Sequence, residues 1–227
     1  MRGFPPGCLA LFLFFLLIVL IPFFLAEVML SALAKLGLNA QQSIMAAIGI
    51  FLGSMVNIPI TRFENQGQVE SSSSKMFGIE RQLFPNLRQH NSTLLAVNLG
   101  GCLIPLMIAV YQIVRLSELG AHYILGCGVV VVANIIICRF TARPVENKGI
   151  AIPALIPAFA AAILALLFVP DQAPAVAFTA GVLGPLIGAD LFYLKEIRNM
   201  GTPIASIGGA GTFDGIVLSG IVATLLA

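Results

Sequence analysis

The chain has 227 residues, of which 59% are hydrophobic and only 10% are charged, and its formal net charge is +2. Soluble globular domains carry about 25% charged residues, so this composition excludes an ordinary soluble domain. A net charge this small gives no sign of a nucleic-acid-binding protein. Several apolar windows of about 20 residues, each able to cross a bilayer core of about 30 Å, instead predict an all-α integral membrane protein.

Apolar segments along the chain predict about seven transmembrane helices in a single domain that covers residues 1–227. The first apolar run is longer than the 7–15 residues or so of a signal-peptide core, so we expect it to be retained as a span. Residues 61–92 form a long polar loop between the second and third spans. The predicted spans lie at about 8–26, 42–60, 93–114, 121–138, 150–169 and 174–194, with the last within 202–227.

Basic residues predict the orientation of these spans. Ten Lys and Arg residues fall at the N-terminus and in the loops after the second, fourth and sixth spans, whereas only Lys35 and Arg115 fall on the other side. Cytoplasmic loops of membrane proteins are enriched in Lys and Arg. We therefore expect the N-terminus and the 61–92 loop in the cytoplasm and the C-terminus outside.

Polar side chains inside the predicted spans need hydrogen-bond partners, because lipid supplies none. Asn57, Asn98 and Asn134 are such residues. We interpret them as contacts between helices, with a direct role in chemistry or transport as the alternative. The cysteines and the two isolated histidines lack metal-site spacing, so we expect no metal and no cofactor, and we interpret the cysteines as small buried apolar residues.

Two aspartates, Asp190 and Asp214, flank a glycine-rich stretch near the C-terminus. Asp190 follows Gly188–Ala189 near the cytoplasmic end of the predicted sixth span. Asp214 follows "GGAGTF" at 208–213, which is a poor helix former. We therefore expect a glycine-rich irregular or strand-like segment leading into the last helix. Such backbone at membrane depth requires cover by protein or access to water, which indicates a cavity open to the cytoplasm.

The two carboxyl groups are predicted to form a catalytic pair. If the last helix begins near Gly211, Asp214 lies in its first turn and at nearly the depth of Asp190. Like charges a few ångströms apart cannot both ionise readily. One carboxylate can then deprotonate a water molecule while the other carboxyl protonates a carbonyl oxygen, which is peptide hydrolysis by acid–base catalysis. Gly208, Gly209 and Gly211 leave the backbone open to an extended substrate and are the predicted substrate-binding residues.

This pattern resembles the GxGD-type intramembrane aspartyl proteases, the group of presenilin, signal peptide peptidase and the prepilin peptidases. Those proteins have one Asp on each of two consecutive late spans, the second preceded by glycines. The matching positions are Asp190 in "GAD" and Asp214 in "GAGTFD", where Thr212 and Phe213 interrupt the strict Gly-x-Gly-Asp order. The resemblance covers about 30 of the 227 residues. It implies an intramembrane aspartic endopeptidase whose partners are the lipid bilayer and a membrane protein or peptide substrate.

The whole chain is also similar to a prokaryotic family of multi-spanning membrane proteins of unknown function. That similarity implies no activity, but it implies the cytoplasmic membrane of a prokaryote as the location.

Two other functions use the same residues. In an ion- or proton-coupled secondary transporter, Asp190 or Asp214 would carry a proton or Na⁺ at a broken helix. In a purely structural role, the aspartates would cap helices and pair with Lys195 or Arg198. The position of the two carboxyl groups relative to each other discriminates best between these alternatives.

Overall fold

The protein is mainly helical and carries two small β-sheets. The computed structural model describes residues 6–64, 92–145, 149–199 and 204–227. Its helices are α1 (Pro6–Lys35), α2 (Ala40–Gly53), α3 (Ile104–Leu119), α4 (Ala121–Thr141), α5 (Leu155–Phe168), α6 (Ala173–Pro185), α7 (Leu194–Asn199) and α8 (Gly215–Leu226). Its strands are β1 (Asn57–Glu64), β2 (Ser92–Asn98), β3 (Arg143–Val145), β4 (Gly149–Ala151) and β5 (Ile204–Ile207).

Short helical turns of other types extend several helices. A π-helical turn, Leu99–Leu103, leads into α3, and a second one, Leu186–Leu191, follows α6. A 3-10 turn, Pro170–Gln172, precedes α6, and another, Gly211–Phe213, precedes α8. These turns lengthen the helical segments, and with them two segments become long enough to cross a bilayer.

Three helical segments in the described part of the chain are long and apolar enough to span a membrane: Leu99–Leu119, Ala121–Thr141 and Pro170–Leu191. The described part of the chain therefore does not support the predicted count of about seven spans. Helices α2 and α5 have 14 residues and α8 has 12, so they extend only about 21 Å and 18 Å at 1.5 Å per residue. Hydropathy windows overestimated them because apolar strands and turns adjoin these helices. The second window ends in β1, and the fifth begins in β4.

Helix α1 contains the first predicted span. It is 30 residues long, and its described side chains between positions 11 and 24 are apolar and mostly exposed, whereas Met29, Leu33 and Leu36 pack into the core. A helix that is apolar on all sides is typical of a segment surrounded by lipid.

The helices run between two ends of the molecule. Lys35 Nζ donates to Leu225 O (2.9 Å) and Arg115 Nη1 donates to Leu36 O (2.7 Å), so helices α1, α3 and α8 all end together. We call this the capped end. The strands lie at the opposite end, which we call the sheet end.

Helix α6 lies at the centre of the bundle, and eleven of its side chains or glycines are buried, among them Phe178 and Val182. A Cβ on Gly181 would lie 2.8 Å from Ser219 O, so only glycine permits the close approach of α6 to α8. Asn134 of α4 donates to Ala180 O (2.7 Å), which is the predicted contact between helices.

The larger sheet has the strand order β1-β2-β5. Strands β1 and β2 are antiparallel, with Asn57 opposite Asn98 and an irregularity between Pro59 and Thr61. Strand β5 is parallel to β2, with Val97 opposite Ile207. The predicted strand-like segment before the last helix is therefore present as β5. The two ends of the predicted 61–92 loop are strand, and residues 65–91 lie outside the described ranges.

Candidate functional site

Asp190 and Asp214 line one cavity at the sheet end, with a volume of about 210 Å³. The structure thus brings the two predicted catalytic residues together from separate helical elements. Gly208, Gly209 and Gly211, the predicted substrate-binding residues, do not line this cavity; they form the turn beside it. The other lining residues in the described part of the chain have no polar side chain: Ile150, Ala151, Ile152, Pro185, Ala189, Ala210, Gly215 and Ile216.

Asp190 is held by the π-helical turn that ends α6. Pro185 has no N–H to continue the regular helix, and the chain widens into a π turn, a form often found at functional sites. Gly188 packs directly against the backbone of α4 at Ile135 and Arg139, where a side chain would not fit. The half-buried Asp190 carboxyl accepts a hydrogen bond from the Gly208 backbone N–H. Its position is therefore fixed from both sides.

Asp214 is the N-cap of α8. Its Oδ1 accepts from the Ile216 N–H (3.0 Å) and its Oδ2 accepts from the Ala210 N–H (3.3 Å). Burial raises the pKa of the Asp214 carboxyl above its ordinary value, and these two N–H donors lower it in part. The capping role proposed for a structural aspartate is thus present at Asp214, together with its exposure to the cavity. Lys195 is exposed and forms no ion pair with either carboxyl, and the Arg198 side chain lies outside the described part.

The glycine turn between β5 and α8 carries the backbone past both carboxyl groups. Gly208 and Gly211 have φ values of 69° and 62°, a left-handed conformation that glycine adopts without strain. Gly211 N donates to Gly208 O (2.9 Å). Beneath this turn lies Gly101 of the first π turn, where an added Cβ would collide with Gly208 O. The two glycine segments therefore pack backbone to backbone.

A polar cluster fixes the first π turn to the sheet. Asn98 is fully buried, donates to Ser54 O (2.8 Å) and Asn57 Oδ1 (3.1 Å), and accepts from the Gly101 N–H (2.7 Å). Ser206 of β5 donates to the same Asn57 Oδ1 (2.6 Å). Asn57 and Asn98 lie in strands, not inside helices as expected, but Asn98 still joins two helical segments, because it connects the C-cap of α2 at Ser54 to the first π turn. Asn57 joins β1 to β5 through Ser206.

Cys102 also lies at the site, although sequence analysis did not predict it there. Its buried side chain lies against the glycine turn, 2.8 Å from where a Cβ on Gly208 would be. It is close enough to both carboxyl groups for their charges to act on its thiol. Cys102, Cys127 and Cys138 are free, and they are buried as predicted; the side chain of Cys8 lies outside the described part. The local signal was the Asn-Leu-Gly-Gly-Cys sequence at 98–102, whose paired glycines indicate close backbone contact.

The cavity can hold an uncharged polar group between two carboxyls and apolar walls. Among the described residues that line it there is no Lys, Arg or His, and the ionisable ones are the two acids. Among the described residues, no group of three His, Cys, Asp or Glu is placed to hold a metal ion. The arrangement suits proton transfer to and from one bound group.

These features define a helical membrane protein with a pair of carboxyl groups in an apolar cavity. Residues 51–226, which include both aspartates and the larger sheet, match the family described as "Protein of unknown function (DUF1614)", and the chain belongs to that family. No curated protein and no solved structure matches the chain.

Proposed function

We propose that the protein is an intramembrane aspartyl protease-like hydrolase that cleaves a membrane-associated peptide with Asp190 and Asp214. The observation that carries this proposal is that both carboxyls face one cavity of about 210 Å³, whose other described lining residues have no polar side chain. Acids in a membrane-embedded bundle are functional candidates by default, because they are costly to keep there.

Peptide hydrolysis requires the pair to hold one proton. The ionised carboxyl removes a proton from a water molecule while the water oxygen bonds to the peptide carbonyl carbon. The protonated carboxyl gives its proton to the carbonyl oxygen, which yields a tetrahedral diol. The diol then breaks the C–N bond, and the amine leaves with a proton returned from the pair. Backbone donors at Gly208, Ala210 and Ile216 keep each carboxyl aimed for this exchange.

Strand β5 offers a place for an extended substrate segment. In the described part of the chain it pairs only with β2, and it runs directly into the glycine turn. The opposite edge strand, β1, contains Pro59 and an irregular register beside it, features that discourage strand addition. Strand β5 has neither feature, so a substrate strand that pairs with it would reach the cavity.

The test is cleavage of a reporter by the purified protein in liposomes. The reporter carries a transmembrane segment with labels on both sides, and mass spectrometry identifies the products. We expect Asp190→Asn and Asp214→Asn each to lower turnover by about 10²–10⁴-fold, since each role needs an ionisable carboxyl. Asp171→Asn, at an exposed aspartate before α6, is the matched control and is expected to retain full activity.

Each outcome decides between functions. Turnover that survives Asp190→Asn or Asp214→Asn removes that aspartate from the reaction. If no reporter is cleaved and both variants instead lose ion-dependent uptake into proteoliposomes, the protein is a carrier and not a protease. Thermal unfolding of every variant separates a chemical effect from misfolding.

The proposed reaction takes place on the cytoplasmic side. The sheet end carries Arg62, Arg139, Arg143 and Lys195, whereas Lys35 and Arg115 lie at the capped end, and cytoplasmic segments favour such basic residues. Lys195 and Glu118 are both exposed, at opposite ends. In intact cells, a membrane-impermeant maleimide is expected to label Glu118→Cys and not Lys195→Cys; the reverse pattern would place the cavity outside.

A further inference from the structure

One wall of the cavity comes from an element that carries neither aspartate. Ile150, Ala151 and Ile152 line it, at the end of the hairpin in which β3 and β4 pair antiparallel, with Arg143 opposite Ala151. This hairpin joins α4 to α5. Substitutions in the hairpin can therefore change the size of the cavity without altering the helices that hold the two aspartates.

The hairpin wall is firmly anchored. Ile150 and Ile152 pack against a buried cluster of Ala142, Ala189 and Tyr193. Tyr193 Oη donates to Ala142 O (3.0 Å), and the Arg139 guanidinium stacks 4.0 Å from the Tyr193 ring centroid. Because Ala189 immediately precedes Asp190, the wall and this carboxyl are fixed to the same cluster.

Gly215 lies across from the hairpin wall, next to Asp214 at the start of α8. A Cβ on Gly215 would lie 3.0 Å from Ile152 Cγ2, closer than the ordinary carbon–carbon contact of about 3.5–4.0 Å. The space between these two residues therefore does not admit even one more methyl group without movement.

The volume of the cavity limits its occupant. At about 210 Å³, it is smaller than the 300–1,000 Å³ or so of pockets for drug-sized ligands. A peptide group with one small side chain fits this space, and the walls beside the carboxyls are apolar.

We propose that the cavity takes one small apolar side chain next to the bond that is cut, and that Ile152 and Gly215 together set the upper limit on its size. This inference rests on the proposed hydrolase activity. In this proposal, the hairpin and the first residue of α8 determine which side chains the substrate can have, and the aspartates carry out the hydrolysis.

The experiment uses one transmembrane reporter whose cut site has been mapped with the wild-type protein. Reporters that differ only in the residues flanking that bond, with Gly, Ala, Val, Leu or Phe, give a size profile. We expect the wild type to prefer the small residues. Ile152→Ala is expected to raise turnover of the Leu and Phe reporters relative to the Ala reporter by about tenfold or more, as differences of one methylene or more discriminate by about 10–200-fold.

Gly215→Ala is expected to shift the profile the other way, toward Gly and Ala, because its methyl group narrows the cavity. Combining it with Ile152→Ala should return the profile toward that of the wild type. Ile156→Ala, at an exposed isoleucine in the first turn of α5, is the matched control and should leave the profile unchanged. Ile152→Val gives a smaller shift in the same direction as Ile152→Ala and serves if the latter unfolds.

The two proposals fail in different ways. If the wild type cleaves the reporters but neither Ile152→Ala nor Gly215→Ala changes the size profile, the specificity assignment is wrong and the hydrolase proposal stands. If the wild type cleaves no reporter, the hydrolase proposal fails and the specificity assignment fails with it.

Discussion

The two ends of the bundle use polar groups differently. At the capped end, Lys35, Gln112 and Arg115 donate to the last carbonyls of α8 and α1, so side chains complete the helices there. At the sheet end, helices begin or end in π turns, glycines and strands, and the two acids face a cavity. Asp214 also caps a helix at the sheet end, but there the two carboxyl groups line a cavity as well.

This difference indicates where substitutions should affect activity and where they should affect stability alone. Backbone packing at the sheet end depends on glycines and on one buried asparagine, which have few substitutes. At the capped end, Gln112 and Arg115 share Leu36 O as acceptor and Lys35 is exposed, so the loss of any one of these donors should matter less.

Gly101→Ala should be the most damaging of these changes. The new methyl group would collide with Gly208 O and force the glycine turn away from the first π turn. We expect a loss of about 1–3 kcal/mol or more in the free energy of unfolding, together with loss of reporter cleavage. Gly128→Ala is the matched control: its added Cβ meets nothing within 4 Å, so we expect a gain of about 0.5–1 kcal/mol. Equal effects at both glycines would contradict the backbone-to-backbone packing.

Asn98→Leu should be far more destabilising than Gln112→Leu, although both side chains are fully buried. Without Asn98, the Gly101 N–H and Ser54 O lose a hydrogen-bond partner. Each unsatisfied buried group lowers the free energy of unfolding by about 1–3 kcal/mol. Losing Gln112 leaves Leu36 O with its bond from Arg115 and removes an oxygen, Oε1, that has no partner. We therefore expect Gln112→Leu to remain within about 0.5 kcal/mol of the wild type in chemical unfolding. A larger loss for Gln112→Leu would refute the contrast between the ends.

Asp214→Asn should change the dependence of stability on pH. The pKa of the Asp214 carboxyl is raised in the folded protein. As pH rises, the unfolded chain loses the carboxyl proton near the ordinary pKa of about 3.9, whereas the folded protein keeps it to a higher pH. The folded state then binds more protons, so stability falls as pH rises from that value through the raised pKa. The asparagine has no such loss. Measured by thermal unfolding, the stability of Asp214→Asn relative to the wild type should increase across this window and then level off; a difference independent of pH would contradict it.

Lys35→Met should have the smallest effect. Lys35 is exposed and donates to Leu225 O at the end of α8. A cation at a helix C-terminus contributes about 0.3–1 kcal/mol, so we expect a small decrease in stability and unchanged reporter cleavage. Lys35→Arg should restore the stability. A loss of activity in Lys35→Met would show that the capped end takes part in function.

The sequence predicted much of the helical framework and little of the sheet end. Every apolar window contains a helix, because about 20 apolar residues with few charges have few alternatives in a membrane. Windows cannot show where such a helix stops, and this is why β1 and β4 were included in spans. The glycines before Asp214 predicted a break in the helix, and the break is present.

The meeting of the site residues depends on contacts between distant parts of the chain. Asp190 and Asp214 share a cavity because Gly188 fits against α4 and the Gly208–Gly211 turn fits over Gly101. No periodicity in the sequence predicts these contacts. The hairpin wall at Ile150–Ile152 was missed for the same reason, since its residues extend an apolar window and resemble the start of a helix.

The parallel pairing of β5 with β2 also has a consequence for the order of assembly. It joins residues 94–97 to residues 204–207, and pairing between such distant segments is slow because a long loop must close first. During synthesis Asp190 emerges before β5, the glycine turn and Asp214 exist. The carboxyl pair can form only after nearly the whole chain has been made and inserted, so a growing or truncated chain that ends before β5 lacks the second acid and has no complete cavity.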